Sequence, residues 1–472
     1  MIVSRRRFIG TASVAAAGLG LRRLAAAFEG GSELPHSKAD ILSRIVPPKF
    51  PPRDFMITKY GARTGKDASA ALTKAIDACH RAGGGRVVVP DGDFATGPIH
   101  LRSRVELHLA SGATLRFTTD PARYPLTFTR WEGVELMNYS PLVYAFDCDD
   151  VAITGEGTLD GQADKEHWWP WKGVTTGPSD RSQPEPPGPQ VADRNQLLEQ
   201  AERGVPVAQR IYGSGHYLRP TFIEPYRCRN VLIEDVTIRN APFWVMHPTL
   251  CTNVTVRRVK VVSHGPNNDG CDPESSRGVL IEDCVFDTGD DCIALKSGRN
   301  ADGRRLNVPV EDVVIRRCQM KAGHGGITIG SEITGGARNI FAEQCRLDSP
   351  DLERGLRMKT NTMRGGIIEN VFVRDIEIGN VLLAPIEIDL RYEARESGPF
   401  LPVVRNVLVE RMHSMKSKHG LYIRGLEKAP IRGVVIRDSA FRGVTDGHLI
   451  EGTVELTLSN VIVEAAKKEE RP

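Results

Sequence analysis

Residues 230–238 read NVLIEDVTI, and this stretch decides the fold because its pattern returns eight more times along the chain. Each copy opens with Asn, Asp or Gly, gives an apolar-x-apolar strand, passes two polar residues and gives a second strand of the same kind. Successive copies begin 23 to 36 residues apart, with no helical pattern between them. The nine copies begin at Asn230, Asn253, Gly278, Asp312, Asn339, Asn370, Asn406, Gly433 and Asn460.

Short β-branched strands at this spacing predict an all-β fold, a parallel β-solenoid. One coil cannot bury its apolar face alone, so neighbouring coils must stack and share a core. The opening Asn or Gly suits a corner in the left-handed backbone conformation. Residues 68–82 predict one helix that ends at three glycines. Such a helix would cap the open N-terminal end of the stack and cover its edge groups.

Three of the nine cysteines fall in one column of this repeat. Cys284, Cys318 and Cys345 each lie six residues after the opening of their copy, where other copies place Val, Ile or Met. Cysteine at such a position stands in for an apolar residue inside the stack. The spacing therefore favours free, buried and inert thiols over disulfides or a metal site.

The first residues have the layout of an export signal. SRRRFI at 4–9 precedes an apolar run to about residue 21, and three alanines at 25–27 offer a cleavage site. The paired arginines followed by Phe8 resemble a twin-arginine signal. The alternative, a membrane anchor, is less favoured because the apolar run is short and Arg22 and Arg23 interrupt it. We expect a signal peptide over residues 1–27, a linker over 28–53, and a periplasmic or secreted protein.

The charge balance argues against nucleic acid as a partner. The whole chain carries a net charge of +3, and five arginines of the predicted signal peptide account for more than that excess. The remainder is slightly negative, so an anionic ligand must be held by local basic groups. No later segment is long and apolar enough to span a bilayer, so we expect no membrane span in the mature protein.

Four polar motifs lie in order along the coils: NNDG at 267–270, GDDC at 289–292, GHGG at 323–326 and RMK at 357–359. Asp290 and His324 both lie 12 residues after the opening of their copy, so stacking in register would place them on adjacent rungs, about 4.8 Å apart. Asp269 lies 21 residues before Asp290, one short coil to the other side. The two cations of RMK, two residues apart on one strand, would share a face.

This constellation suits the cleavage of a glycosidic bond. Three carboxylates packed together repel, so one of them should have a raised pKa and the cluster can supply both an acid and a base. Arg357 and Lys359 could then hold a carboxylate on the sugar. Taken singly, each motif is most often a solvated turn, a small-residue corner or an exposed strand. Adjacent residues of a strand face opposite ways, so either the backbone is irregular at Asp290 or Asp291 has a buried role.

The motifs NND, GDDC, GHG and RMK resemble those of glycoside hydrolase family 28, the polygalacturonase family. The resemblance extends from about residue 54 to the C-terminus and implies one right-handed parallel β-helix as the catalytic domain over 54–472. It further implies hydrolysis of α-1,4-linked galacturonic acid in pectin, with inversion at the anomeric carbon. Neither a metal nor a cofactor is implied, and the expected partner is a pectic polysaccharide or oligogalacturonide.

The same resemblance assigns roles by matching motif. Asp290 would be the general acid, Asp269 and Asp291 would activate the attacking water, and His324 would tune the protonation of the acid. The galacturonate carboxylate would be bound by Arg357 and Lys359, with Asn267 as a supporting contact. Tyr392, 33 residues after Lys359, matches the active-site tyrosine of the family by distance more than by motif.

A long excursion over residues 164–215 interrupts the repeat. It holds a proline-rich stretch, a predicted helix over 194–203 and the cluster HWWPW at 167–171. The excursion resembles that of family members that release sugars from chain ends, because a loop of this size could close one end of the cleft. Trp168 and Trp169, with Trp171, could stack on sugar rings or could merely pin the loop to the body.

Three alternatives stay open. A rhamnogalacturonan- or xylogalacturonan-directed hydrolase would carry the same motifs. A pectate lyase would hold Ca²⁺ on the three aspartates, use Arg357 or Lys359 as the base and form unsaturated products. A non-catalytic polysaccharide-binding solenoid would need no carboxyl with a raised pKa, and its function would survive Asp290→Asn.

Overall fold

The computed structural model describes residues 37–173, 188–394 and 396–466 of the chain. The predicted signal peptide lies outside the described residues, as does most of the proline-rich stretch. Strands dominate the described part, and nearly all of them pair in parallel with the strand one coil away. The architecture is the parallel β-helix that the repeat predicts. Among the described residues, no helix has the length and apolar character needed to cross a membrane.

The bounds of the elements follow in chain order. The helices are α1 (Lys38–Arg44), α2 (Ser69–Arg81), α3 (Gln190–Glu202) and α4 (Asn300–Leu306). The strands before the excursion are β1 (Asp54–Met56), β2 (Gly85–Val89), β3 (Gly92–Thr96), β4 (Ile99–His100), β5 (Val105–Leu109), β6 (Ala113–Phe117), β7 (Leu126–Trp131), β8 (Val134–Tyr139), β9 (Val143–Phe146), β10 (Asp149–Thr154) and β11 (Thr158–Asp160).

The strands from the excursion to the catalytic motifs are β12 (Ile211–Tyr212), β13 (Ile223–Tyr226), β14 (Arg229–Glu234), β15 (Thr237–Arg239), β16 (Thr252–Arg257), β17 (Lys260–Ser263), β18 (Arg277–Glu282), β19 (Val285–Thr288) and β20 (Ile293–Leu295). The remaining strands are β21 (Val310–Arg316), β22 (Gln319–Met320), β23 (Ile327–Gly330), β24 (Ala337–Glu343), β25 (Arg346–Leu347), β26 (Arg354–Lys359), β27 (Ile367–Asn380), β28 (Ala384–Asp389), β29 (Val403–Arg424), β30 (Ile431–Glu451) and β31 (Thr453–Ala465).

The repeat is also the stacking register. Val231 of β14 lies opposite Val254 of β16, and the equivalent residue of each later coil continues this buried column. The column runs on through Val279, Val313, Ile340, Val371, Val407 and Val434. Because these side chains lie directly above one another, each coil completes the core of its neighbours.

The first eight openings are left-handed corners, as predicted, with φ between +54° and +68°. Asparagine adopts this conformation at little cost, and its side-chain amide can bond along the stack. Asn253 donates to Asn230 at 2.6 Å, Asn370 donates to Asn339 at 3.2 Å, and Asn406 donates to Asn370 at 2.6 Å. These amide ladders hold the corner in register from one coil to the next.

The prediction that Asn460 opens the ninth coil is wrong, because Asn460 lies at the other corner of that coil. Leu456 lies opposite Val434, so Glu455 takes the opening corner, with φ at +63°. Asn460 instead stacks on Asp438 at the second corner of the coil, with its Nδ2 2.8 Å from the Oδ1 of Asp438. Both corners combine a left-handed residue with a following apolar alternation, so spacing alone does not tell one from the other.

The cysteines behave as the repeat predicts. All nine are free and buried. Cys284, Cys318 and Cys345 lie in one column, and a second column holds Cys148, Cys228 and Cys251. Burial raises the pKa of Cys318 well above its usual value. A thiol of this kind stays protonated and is a poor nucleophile, so these residues serve as core.

Two segments lie outside the regular coils at the N-terminal end. Helix α2 confirms the predicted cap and buries Leu72, Ala75 and Ile76 against the first coil. Residues 37–53, which belong to the predicted linker, have a defined place on the body. Ile41 and Ile45 of this segment pack with residues of β18 and β21.

An antiparallel hairpin, β7–β8, stands apart from the solenoid sheets. Its turn is Glu132-Gly133, with φ of +42° and +79°, the pair of left-handed residues that a two-residue hairpin favours. The excursion is built on this hairpin, because β12 pairs with β8 in parallel. Leu197 of α3 also packs in one buried cluster with Trp131 and Leu136.

Candidate active site

The four motifs meet on one sheet, the site sheet. It consists of β13, the segments 246–249 and 271–274, and β20, β23, β26 and β28, stacked in that order. Ile293, Ile327, Leu356 and Ile386 of this stack lie in the core. The residues that alternate with them point out of the solenoid. Arg357 and Lys359 therefore face outward together, as predicted, while Met358 between them is buried in the core.

Asp290 and His324 lie on adjacent rungs and form an ion pair, with His324 Nδ1 2.9 Å from Asp290 Oδ1. The backbone N–H of His324 also donates to the Asp290 carbonyl at 3.1 Å. The Asn267 amide lies at the edge of this pair, with Nδ2 3.5 Å from Asp290 Oδ2. The side chains of Asp290 and His324 are 14% and 38% exposed, so this pair reaches the solvent.

Asp291 resolves the difficulty of the Asp-Asp pair. The chain bends at 289–291, and the Asp291 side chain is fully buried. Its carboxylate lies 2.7 Å from Lys359 Nζ and 3.2 Å from Arg357 Nη1. The backbone irregularity and the buried role are thus both present. The cations expected to bind a sugar carboxylate also hold Asp291, and Arg357 bonds Glu387 at 3.1 Å as well.

Asp269 completes the group from the neighbouring coil. One carboxylate oxygen from each of Asp269, Asp290 and Asp291 lies within 4.8 Å of the other two. That spacing would suit a cation, but each carboxylate already has its own cationic partner in the protein. The partner of Asp269 is Lys296, whose Nζ lies 3.3 Å from Oδ2. We therefore interpret the three carboxylates as members of ion pairs.

The surroundings give the three carboxyls different proton affinities. Burial and the nearby charge of Asp290 raise the pKa of Asp269 to about 7. Burial acts against ionisation of Asp290, yet the charge and hydrogen bond of His324 bring its pKa below the usual value. Lys359 and Arg357 likewise outweigh burial and lower the pKa of Asp291. The single raised pKa in this trio belongs to Asp269, not to the residue predicted as the acid.

The proton of the Asp290–His324 pair is held on the histidine side. The charge of Asp290 raises the pKa of His324 above its usual value. Because the two groups share one hydrogen bond, they titrate as a pair that retains one proton near neutral pH. The pair can therefore deliver a proton even though its surroundings lower the pKa of Asp290 itself.

Tyr392 lies where the sequence places it. Its ring centre is 5.8 Å from the Arg357 guanidinium carbon and 5.4 Å from Lys359 Nζ. Burial works against the charge of Lys359, but the pKa of Lys359 is raised overall, with Asp291 the largest favourable influence. Neither cation is thus prepared to give up a proton, which argues against their service as the base of a lyase.

Trp168 and Trp169 of the excursion pack against other residues of the protein. Trp168 is 2% exposed and packs against Tyr124 and Trp171, so the prediction that it binds substrate is wrong. Trp169 is partly buried, donates from Nε1 to the Ala241 carbonyl at 2.9 Å and lies directly over Gly265. Both rings pin the excursion to the body, because they fill space between it and the first coils.

The site sheet is covered on the N-terminal side of the aspartates. Glu224, His247 and Glu274 point outward from successive rungs, yet all are 0% exposed. The β7–β8 hairpin lies over them: Thr129 donates to Glu224 at 2.6 Å, and Arg130 pairs with Glu274 at 3.0 Å. The hairpin therefore covers the site sheet on this side of the three aspartates.

The chain matches the model of a known family, described as glycosyl hydrolases family 28, over residues 213–447. It is similar to an exopolygalacturonase from Thermotoga maritima of known structure, with 46% identity and a TM-score of 0.85. That likeness covers 90% of this chain and 95% of the other. The chain belongs to glycosyl hydrolases family 28.

Two curated relatives are more distant from this family 28 chain. A probable polygalacturonase from Vitis vinifera is 26% identical over 371 residues, and an exo-poly-alpha-D-galacturonosidase from Dickeya chrysanthemi is 27% identical over 364. The matches cover 75% and 72% of this chain but span only 66% and 58% of those relatives' own lengths. The hairpin lies before residue 213, outside the stretch that the family 28 model matches.

Two elements that contact this family 28 site are missed by the sequence analysis. The first is Lys296, two coils away from the RMK motif, whose only signal is a charged residue at an outward position just after the apolar β20. The second is the hairpin, whose signal is the alternation on both sides of Glu132-Gly133 in LTFTRWEGVELMNY, residues 126–139. The excursion was predicted to close one end of the cleft, whereas the direct contacts to Glu224 and Glu274 come from the hairpin.

Proposed function

We propose that the protein is an exo-polygalacturonase, which hydrolyses α-1,4 linkages between galacturonic acid units and releases sugars from a chain end. One observation carries the exo assignment: the outward side chains of the site sheet are fully buried under the hairpin beside the aspartates. A polymer that crossed the sheet from end to end would need this surface. The substrate therefore has to end at the hairpin. The similarity to a protein named as an exopolygalacturonase supports the same conclusion.

The charged pocket suits a uronic acid. Arg357 and Lys359 lie side by side, with Tyr392 against both, and their charge is only partly used by Asp291 and Glu387. A sugar carboxylate can approach these two cations at the end where the Asp290–His324 pair is open to solvent. Charged hydrogen bonds of this kind are worth about 1.5–3 kcal/mol each, enough to select galacturonate over a neutral sugar.

The proton for the leaving oxygen comes from the Asp290–His324 pair. The pair holds one exchangeable proton, which can reside on His324 Nε2 or on the free oxygen of Asp290. Asp290 donates it to the glycosidic oxygen as the C–O bond breaks, and His324 Nδ1–H stabilises the carboxylate that remains. The retained proton makes the pair competent near neutral pH.

The water is activated by the two aspartates on the other flank. Asp291 is held ionised by Lys359 and Arg357, and Asp269 is ionised above about pH 7 in the free protein. Together they orient a water and accept its proton as the new C–O bond forms. The family resemblance implies inversion, although the three carboxylates lie closer together than the about 6.5–9.5 Å usual for inverting enzymes. The anomer formed first, observed by proton NMR, tests this point.

The deciding experiment is product analysis on polygalacturonic acid with and without EDTA, with Asp290→Asn as the inactive control. Saturated galacturonic or digalacturonic acid from the start, with little loss of viscosity, supports the proposal. An early ladder of longer saturated oligomers keeps the hydrolase and overturns the exo assignment. Unsaturated products that EDTA abolishes mean a lyase, and activity only on rhamnogalacturonan or xylogalacturonan redirects the substrate.

We also propose that the enzyme acts outside the cytoplasm. The support is the twin-arginine-like segment at residues 4–9 and the absence of any disulfide among the nine cysteines, which suits a protein folded in a reducing compartment before export. Replacement of Arg5 and Arg6 by lysine should leave active enzyme in the cytoplasm. Cell fractionation with an activity assay of each fraction measures the export. Unchanged export of this variant would contradict the proposed route.

A further inference from the structure

Lys296 is a buried cation that the four motifs do not explain. Its side chain is 3% exposed, and Nζ lies 3.3 Å from Asp269 Oδ2 and 3.3 Å from Glu332 Oε2. The ammonium also lies over the Trp244 ring, 4.4 Å from its centre. Burying an ammonium is costly unless its partners are well placed, so a lysine here must have defined contacts.

The three aspartates differ in how their charge is balanced. Asp290 pairs with His324, and Asp291 pairs with both cations of the RMK motif. In the described part of the chain, Lys296 is the one cation within 4 Å of Asp269. Ionising Asp269 beside two other carboxylates costs Coulomb energy, and the nearby ammonium offsets this cost. The charged groups that act on Asp269 are Asp290, Lys296, Asp291 and Lys359, and the titratable group of Asp272 lies nearby.

Asp272 does not compete for this ammonium. It lies 3.8 Å from Lys296 Nζ and is 0% exposed, and neither of its carboxyl oxygens has a hydrogen-bond partner among the described residues. Burial, together with the charge of Asp269, raises the pKa of Asp272 well above its usual value. A neutral Asp272 leaves the charge of Lys296 to be shared between Asp269 and Glu332.

We propose that Lys296 is a positioning residue for hydrolysis, which keeps Asp269 ionised and aims its carboxylate at the attacking water. Glu332, which lies 3.3 Å from the same ammonium, sets how much of that charge Asp269 receives. Glu332 itself is shared with Arg299, 3.2 Å away. The inference rests on the proposed function, since it assigns a base to that reaction.

The test is the pH profile of kcat/KM for Lys296→Met, Lys296→Arg and the surface control Lys260→Met. Removing the ammonium disfavours the ionised form of Asp269, so the acidic limb should move to higher pH by at least one unit. Each unit corresponds to about a tenfold loss at low pH, with recovery as the pH rises. Lys296→Arg should keep the wild-type limb, and so should Lys260→Met. Equal loss at every pH in Lys296→Met, or the same shift in Lys296→Arg, would overturn the proposal.

Glu332→Gln gives a second variant with the opposite sign. Loss of this carboxylate leaves more of the ammonium's charge for Asp269, so the acidic limb should move to lower pH. A merely structural role of Lys296 gives no reason for opposite shifts in the two variants. A shift of Glu332→Gln to higher pH would contradict the inference even if Lys296→Met failed to fold.

A readout without substrate separates this inference from the proposed function. Ionisation of Asp269 changes the field at the ammonium over Trp244, so tryptophan fluorescence should titrate near neutral pH. The titration should vanish in Asp269→Asn and in Trp244→Phe and move to higher pH in Lys296→Met. If wild-type protein failed to cleave polygalacturonic acid, the proposed function would fail. The fluorescence titration would still decide the role of Lys296, and a titration unchanged in Lys296→Met would overturn it.

Discussion

Both ends of the site sheet carry titratable or charged side chains that point outward, but the two ends differ in what covers them. On the covered side, Glu224, His247 and Glu274 point outward from the coils and are 0% exposed beneath the hairpin. On the open side, Arg357 and Lys359 point outward from later coils and are 6% exposed, and the nearby His324 reaches solvent with 38% of its side chain exposed. The backbone register is the same throughout.

The two sides differ in the partners of their charged side chains. Arg130 of the hairpin pairs with Glu274 and Thr129 donates to Glu224, so these two covered carboxylates contact protein groups instead of solvent. Among the described residues, the cations of the open side pair with Asp291 and Glu387, and the Tyr392 ring lies beside them. In the proposed function, a segment that the chain places over its own sheet, and no change in the sheet itself, sets where the substrate ends.

The largest expected effect is a loss of kcat on substitution of Asp290, which lies between the covered side and the open side. In the proposed mechanism Asp290→Asn removes the group that passes the proton to the leaving oxygen, so kcat should fall about 10³-fold or more. The matched control is Asp287→Asn, three residues away, whose ion-pair partner among the described residues is His264 at 3.3 Å, and this variant should keep wild-type kcat. Steady-state rates on oligogalacturonides decide it, and a loss under tenfold would remove Asp290 from the mechanism.

A substitution on the covered side should cost stability. Arg130→Met leaves the fully buried Glu274 short of a partner, and breaking a buried ion pair costs about 3–5 kcal/mol. Arg102→Met, which breaks an exposed pair with Asp77, should cost at most about 1 kcal/mol. Chemical denaturation of both variants measures the difference. Equal stability losses would mean that the hairpin is not bound as tightly as its contacts indicate.

The equivalent substitution on the open side should cost affinity. Arg357→Met removes one of two cations available to the sugar carboxylate, so KM should rise about 10- to 100-fold. The exposed Arg374→Met is the control and should leave KM unchanged. Initial rates at varied substrate concentration separate KM from kcat. A fall in stability with unchanged KM would show that both sides of the sheet are structural.

The pH dependence of stability and of kcat/KM should report on the open side, because His324 titrates there. Its raised pKa means that the favourable contribution of the charged pair is fully present below about pH 6.5 and is lost as the pH rises through the folded-state pKa. The basic limb of kcat/KM should follow the same group. In His324→Gln this limb should move to lower pH, since Asp290 alone holds a proton less firmly than the pair. A basic limb unmoved in the variant would assign that proton elsewhere.

The smallest effect is expected at Trp169, where the covered side meets the excursion. Trp169→Phe keeps an aromatic ring over Gly265 but loses the hydrogen bond to the Ala241 carbonyl, a cost of about 1 kcal/mol in stability. KM should stay unchanged, because this ring packs on the protein. Thermal unfolding and KM on the same preparations provide the check. A clear rise in KM would restore the predicted contact with sugar.

The repeat and the four motifs yield most of the fold and most of the pocket. Stacking converts equal offsets in sequence into contacts, so the 12-residue offset of Asp290 and His324 was enough to predict their pairing. The same rule misplaced Asn460, because each coil has two left-handed corners and the motif fits both. Periodicity reports that a residue stands at a corner without saying which one.

The covering of the sheet could not be derived from the repeat. The hairpin meets Glu224 and Glu274 across 95 and 144 residues of sequence, and no offset rule links an insertion to the surface it covers. Trp168 shows the same limit, since an aromatic cluster in a loop fits a sugar platform and a buried anchor equally well. The charge balance of Asp269 also depends on Lys296, a partner that only the folded sheet brings near.

The N-terminal segment around α1 has a consequence for the order in which the molecule is assembled. Lys38 pairs with Glu343 at 2.7 Å, Arg44 pairs with Asp312 at 3.1 Å, and Ile41 packs beside Leu280. Synthesis runs from the N-terminus, so this segment emerges first among the described residues. Its partners follow some 240 to 300 residues later in the sequence. The segment can therefore dock only after the central coils have formed. Its docking is a late folding step that attaches the start of the described chain to those coils.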